Sequence, residues 1–559
     1  MKIIKEWLSE NEKKLWLLVF LLASLVYFPA TDRPVRDAEA KYVEIPKEML
    51  EKGDWITPHL DFVKYYTKPP LSFWIVALGY KFFGVHPWVA RSINILWAFF
   101  LAFLIGRLAS YMFGKGIAPI ASACFLMTSE VFAYSLDAGI EFALIFCITA
   151  SLMCFWLFLD KREKKYLWYF YLWIGLGYLT KGFLGIAIPF GTVLLFFIFT
   201  RQFSRLGSLF DPVGVGIFIL IVLPWTIMMS IKNPDFLKYF IVNEHIGRLI
   251  GKKDTSEALF STKLFLEHMA GEFFPWILYL PIIFKSLYKR IIKGGFDRRR
   301  SLFLISWAFT PFLIFSYSKS KVDFYGMHVY PPLLISLSYE IKLFLKKRDG
   351  MLSLWAYPWL ILAILAICSL VFLCVKADSS TIKLLDIPSL FWAKIFLLGS
   401  FFAGSLMWIS LRKRIFAISI PALITYMCFF FFCTEQMYIA DFKKDSMKFA
   451  ADVYNQMSTE DAPIFCADLP EFAHIATINF YTRKQAYILK MPDDEVPAYE
   501  DRKKMYVEAK EFLRILKDKK VAFVIGNIKH VDEYLTALGV KHQLLCSSSD
   551  RGIFLVSAK

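Results

Sequence analysis

Arg36-Asp-Ala-Glu-Ala-Lys-Tyr-Val-Glu44, running on through Gly53-Asp-Trp-Ile-Thr-Pro-His59 to Tyr65-Tyr-Thr-Lys-Pro-Pro-Leu71, is a polar island in an apolar chain. Its acids Asp37, Glu39, Glu44 and Glu48 fall in a segment that reads as helical from Ala38 to Lys52. A break or kink is expected at Pro46, and Gly53 serves as the stop signal. Lys68 then precedes a Pro-Pro pair, which cannot continue a helix and fixes an extended turn. Connecting loops are usually just solvated. So many acids, bases and aromatics beside apolar segments argue instead for chemistry at this place.

The class follows from what surrounds the island. The chain has 559 residues, of which 57% are hydrophobic and 18% aromatic, and its mean hydropathy is +0.49. Soluble domains rarely reach such values, so most of the chain is expected to be solvated by lipid. The net charge of +17 is then assigned to basic cytoplasmic loops, with no nucleic acid as partner. The 9 cysteines show no CxxC or His spacing, so neither a disulfide framework nor a zinc cage is indicated. Cys466 and Cys546 alone lie in the polar tail, where one disulfide is open.

A transmembrane helix needs roughly 20 apolar residues. By that rule the chain is a polytopic α-helical membrane protein with about 13 transmembrane helices, near 14–30, 91–113, 117–135, 139–159, 166–180, 183–200, 211–231, 269–289, 301–318, 325–345, 353–375, 389–410 and 414–434. Segment 71–83 is too short to span and is placed in the interface. With the N-terminus inside, every inner loop is basic, including Lys161 to Lys165 and Lys285 to Arg300, as the positive-inside rule requires. The opposite side receives the outer loop 31–90, Asp137, Lys181, the loop 232–268, Lys319 and Lys321, and the tail. Residues 1–434 are therefore read as a transmembrane catalytic domain and 435–559 as a small extracytoplasmic α/β domain, with strands over 463–467, 478–481, 521–525, 542–546 and 552–556.

The motifs resemble a known family. Arg36-Asp-Ala-Glu-Ala-Lys-Tyr and Tyr65-Tyr-Thr-Lys-Pro-Pro-Leu are similar to the first outer loop of GT-C glycosyltransferases. Leu179-Thr-Lys-Gly-Phe183, Glu244-His-Ile-Gly-Arg248 and Ser316-Tyr-Ser-Lys-Ser-Lys321 continue the likeness. The branch resembled is the bacterial protein-mannosyltransferase-like group that includes the undecaprenyl-phosphate aminoarabinose transferase of lipid A. The resemblance implies transfer of a sugar from a polyprenyl-phosphate donor, at the outer (periplasmic) face of a bacterial inner membrane, to lipid A phosphate or another cell-envelope acceptor. The residue types suit that chemistry. Departure of a polyprenyl phosphate needs fixed cations, and Lys68, Lys181, Arg248, Lys319 and Lys321 are candidates. A carboxylate beside the anomeric centre can take a proton or stabilise developing positive charge. Asp37 is the first choice, Asp137 a second acid and Glu39 the runner-up; Ala38 stands where relatives carry an acid, so the assignment between Asp37 and Glu39 stays open.

The aminoarabinose enzymes carry Glu where this chain has Thr67, and the family associates that Glu with a metal, together with the histidine matching His245. Thr is a poor ligand for zinc or magnesium. No cofactor is therefore assigned, and His245 and Glu244 remain the metal candidates. A protein or glycan hydroxyl is the alternative acceptor. A transporter or flippase fits less well, because the chain shows neither inverted repeats nor mid-membrane ionisable groups.

Overall fold

The computed structural model describes residues 10–31, 33–247, 262–318, 322–345, 352–375, 387–412, 429, 432–433, 447–458, 462–468, 472–491, 504–548 and 550–558. The chain divides into two compact units. One comprises Met1–Thr31, Asn94–Leu136 and Ile140–Ala440; the other comprises Asp32–Ile93, Asp137–Gly139 and Asp441–Lys559. Residues 32–93 thus group with the tail, whereas the sequence places them with the transmembrane part. Local pattern carries no information on such long-range pairing.

The first unit is helical. Among the described residues, five helices are long and apolar enough to cross a membrane: Pro87–Phe113, Glu141–Lys161, Pro212–Lys232, Gly295–Tyr317 and Lys394–Leu411. Its core is dense in aromatics, with Trp156 against Phe303 (ring centroids 4.9 Å apart) and Phe155 against Phe197 (5.7 Å). Helix Lys164–Lys181 ends at Gly182, whose φ of +75° only glycine adopts without strain. The next helix, Leu184–Thr200, folds straight back. A methyl group on Gly185 would meet the Gly177 carbonyl carbon at 2.3 Å, so these helices cross backbone to backbone.

Several expected spans are interrupted. Segment 117–135 forms two helices, Ala118–Leu126 and Ser129–Ser135, separated at Thr128, whose backbone is extended. The Trp276 indole donates to the Cys124 carbonyl (2.7 Å) and to Thr128 Oγ1 (3.1 Å), which supports the break. The span expected over 269–289 stops at Glu272 and resumes at Leu280, because Pro275 lacks the N–H a continuous helix needs. The helix expected from 325 starts at Tyr330, after a tight turn over Asp323–Val329. The segment 414–434 lies almost wholly outside the described residues.

The second unit is built on a six-stranded sheet. Its strands are β3 Ile464–Ala467, β4 Ala486–Leu489, β5 Tyr506–Val507, β6 Val521–Asn527, β7 Lys541–Ser548 and β8 Arg551–Ser557. In space they lie in the order β5-β4-β3-β6-β8-β7; the first four run parallel, and β8 is antiparallel to β6 and to β7. Alternate residues feed two cores, as the pleat dictates: Ile464, Cys466, Phe523 and Ile525 on one face, Phe465, Ala467 and Val524 on the other. Residues 478–481, read as a strand, belong instead to helix Phe472–Thr482. That helix buries Ile475 and Ile478 in the first sheet core and Ala476 and Phe480 among the residues of 35–90. Burial on opposite sides erases the one-faced periodicity by which a helix is recognised. Cys466 and Cys546 are both free. They sit on β3 and β7 with β6 and β8 between, about 14 Å apart at the usual strand spacing, beyond disulfide reach.

Within this unit, helix Asp37–Lys52 runs through Pro46 without a break and ends at Gly53 (φ +65°). It is followed by a short hairpin, β1 His59–Leu60 with β2 Val63–Lys64, and by helix Leu71–Phe83, which starts after Pro70.

Candidate active site

The second unit assembles a network of charges around the start of helix Asp37–Lys52. The Arg36 N–H donates to Glu39 Oε1 (3.0 Å), closing the first turn. The Arg91 guanidinium grips the same carboxylate with a fork, Nη2 to Oε1 at 2.5 Å and Nε to Oε2 at 3.1 Å. The Ala138 N–H adds a bond to Oε2 (2.8 Å). Arg91 also donates to the carbonyls of Arg33 (2.6 Å) and Pro34 (2.8 Å). Burial alone would raise the Glu39 pKa, but the Arg91 charge and hydrogen bonds outweigh it and bring it down to about 2. Asp137 receives Arg33 Nη2 (2.6 Å) and Arg36 Nη1 (3.1 Å). Burial and the neighbouring Glu39 charge raise the Asp137 pKa, against the pull of the arginines. Glu39 and Asp137 are therefore brought together, bridged by Arg36. Asp37 occupies the first position of the helix. Lys68 is half-buried ahead of Pro69, its Nζ 3.4 Å from the Thr67 carbonyl.

The helical unit holds a second cluster. Lys181, last residue of its helix, is buried and forms an ion pair with Glu141 Oε1, the first residue of helix Glu141–Lys161. Its ammonium lies 4.8 Å from the centre of the Tyr325 ring and 5.2 Å from that of Phe324. His328 Nε2 approaches Glu141 Oε2 to 4.0 Å. Beside Gly182, the His245 ring is wedged between Phe183 and Phe240. Its Nδ1–H donates to the Phe240 carbonyl (2.6 Å), and its Nε2 accepts from the Phe183 N–H (3.4 Å). Glu244 is buried. Arg248, Lys319 and Lys321 lie outside the described residues.

Comparison with known proteins places this architecture. The family model for dolichyl-phosphate-mannose-protein mannosyltransferase matches residues 34–240. Curated undecaprenyl phosphate-alpha-4-amino-4-deoxy-L-arabinose arabinosyl transferases are similar. The one from Edwardsiella ictaluri is 31% identical over 331 residues, 58% of each chain, and that from Photorhabdus laumondii 29% identical over 308 residues, 54% of each. The alignments thus span little more than half the length of these relatives. The structure of ArnT from Cupriavidus metallidurans in the apo state superposes with a TM-score of 0.79 at 21% identity, covering 96% of this chain and 97% of that one. The same protein bound to undecaprenyl phosphate gives 0.78. The chain has the fold of that ArnT structure and is similar in sequence to the arabinosyl transferases over part of their length. Its fold is that of a multi-pass integral membrane protein.

A metal at His245 is what the resemblance to the aminoarabinose transferases implies, and the local donors do not fit one. Nδ1 is committed to a carbonyl, and Nε2 faces backbone: a methyl group on Gly182 would stand 2.7 Å from it. Among the described residues no three His, Cys, Asp or Glu gather at metal-binding distance. No step is therefore routed through a metal. Reading from sequence missed Glu141, His328, Arg33 and Arg91. Each acts through a partner distant in the chain, Arg91 lying 52 residues from Glu39 and Glu141 lying 40 from Lys181. The one local hint for Arg91 and Glu141 was an ionisable group at the edge of an apolar span.

Proposed function

We propose that the protein is a glycosyltransferase that moves a sugar of the 4-amino-4-deoxy-L-arabinose class from a polyprenyl-phosphate donor to a lipid A phosphate. The reading includes about 13 spans and an active site, outer loop 31–90 and tail domain on the periplasmic side of a bacterial inner membrane. What carries it is the 29–31% identity over 308–331 residues to arabinosyl transferases. The charge networks agree with it. A phosphate acceptor is already ionised near neutral pH and needs no strong base, whereas a hydroxyl must lose a proton. Glu39 and Asp137 are both engaged by arginines, as electrostatic and positioning groups would be. In this mechanism Lys68 and Lys181 hold the donor phosphate and stabilise its charge as the glycosyl bond breaks, joined by Arg248, Lys319 and Lys321. Asp37 is the carboxylate assigned to the reacting sugar, and Glu39 acts through the scaffold it fixes.

The mannosyltransferase family model over residues 34–240, with Thr67 in place of the relatives' Glu, favours a second reading, in which the acceptor is a protein or glycan hydroxyl. Mass spectrometry of lipid A and of the polyprenyl-phosphate sugar pool, with and without the protein, separates the two. Lipid A should gain the aminopentose when the protein is present. Unmodified lipid A with sugar appearing on protein or glycan would replace the first reading by the second.

A further inference from the structure

The Lys181 cluster contains more polar capacity than its own contacts use. Glu141 gives Oε1 to Lys181, while its buried Oε2 meets no hydrogen-bond partner among the described residues. His328, 2% exposed, has one loose contact to the Tyr325 carbonyl, and its ring nitrogens otherwise meet no hydrogen-bond partner among the described residues. Glu141 Oε2 and His328 Nε2 face each other across 4.0 Å, beside the Lys181 ammonium that the rings of Phe324 and Tyr325 cover. A buried carboxylate oxygen left without a donor is costly unless something arrives to fill it. A cation-seeking oxygen and a neutral imidazole acceptor, side by side, suit a primary ammonium.

We infer that Glu141 and His328 form the subsite that recognises the amino group of the donor sugar, making Glu141 the determinant of amino-sugar over neutral-sugar donors. This rests on the proposed function, in which Lys181 binds the donor phosphate. Charge supports it. Lys181 and Glu141 cancel in the empty site, so a donor carrying one phosphodiester charge leaves a buried net negative charge. A donor that also carries an ammonium one pyranose ring away from its phosphate restores neutrality, with charges alternating from phosphate to Lys181 to Glu141 to ammonium. A neutral sugar leaves Glu141 Oε2 unsatisfied.

The test measures binding by the full-length protein in nanodiscs, using undecaprenyl phosphate, an aminopentosyl donor and the matching neutral pentosyl donor. Wild type should prefer the amino donor, and Glu141→Gln should weaken that donor by about a hundredfold while leaving the neutral one within a few-fold. His328→Phe removes both ring nitrogens but keeps the Glu141–Lys181 pair. It should lower the same preference by about tenfold, and it decides the matter if Glu141→Gln fails to fold. An unchanged ratio of the two affinities in the folded variants overturns the inference, as does a wild type that binds both donors equally. A wild type that does not bind undecaprenyl phosphate at all removes the functional reading and this inference with it.

Discussion

Two neighbouring acids, Asp37 and Glu39, are alike in sequence context but not in what they can do. Glu39 is 1% exposed, and both of its oxygens are engaged by Arg91 and by backbone donors. Replacing it by Gln would set an amide against a buried guanidinium, a change that commonly costs about 3–5 kcal/mol. Glu39→Gln should therefore lower the unfolding temperature markedly. Asp37→Asn should act on turnover, reducing it by about 10²–10⁴-fold at unchanged donor affinity. A near-normal rate in Asp37→Asn would end the case for that residue as the working carboxylate. The sequence shows both acids; it cannot show that one of them has an arginine partner on another helix.

Helix Asp37–Lys52 continues through Pro46 because its flanking polar groups are held from outside. Lys47 is fully buried and donates to Glu44 (3.2 Å) and to the Asn479 carbonyl (2.9 Å) of helix Phe472–Thr482. Asn479 Nδ2 in turn donates to Asp61 (2.9 Å), and Glu48 accepts from the Phe62 N–H (2.9 Å). A Pro there removes one hydrogen bond, and these ties offset it. Burial pushes Glu44 up to about 8, against the pull of Lys47. Its folded pKa thus lies above the unfolded value of 4.5, so the unfolded state loses this proton first and stability falls as pH rises from about 5 to about 8. Glu48 and Asp137, also raised, act in the same sense. Glu39, lowered to about 2, adds stability above about pH 4.5 that is lost as pH falls toward 2, outside that window. Thermal unfolding should show a lower midpoint at pH 8.5 than at pH 5.5, with a shallower slope in Glu44→Gln. An identical slope in that variant would exclude Glu44 as a source.

For the whole molecule, sidedness is the decisive claim. In a cysteine-free background, a membrane-impermeant thiol reagent applied to intact spheroplasts should label Lys52→Cys and leave Glu163→Cys untouched until the membrane is opened. Both positions are exposed, so accessibility does not confound the result; the reverse pattern would invert the topology. Restored Cys466 would be a poor reporter of the tail, since it is buried in β3, whereas Cys546 is half-exposed. Hydropathy and the placement of Lys and Arg determined by themselves that the chain is a polytopic helical protein, and motif chemistry pointed to the glycosyltransferases it resembles. Those signals are local or additive, each readable within one window of residues. Only the tertiary structure decided that residues 32–93 share a unit with 441–559, that Glu39 answers to Arg91, and that Lys181 is paired with Glu141 beside His328. Buried charges settle by desolvation and by which opposite charge is within reach, and that reach is set by helices meeting across dozens of residues of intervening chain.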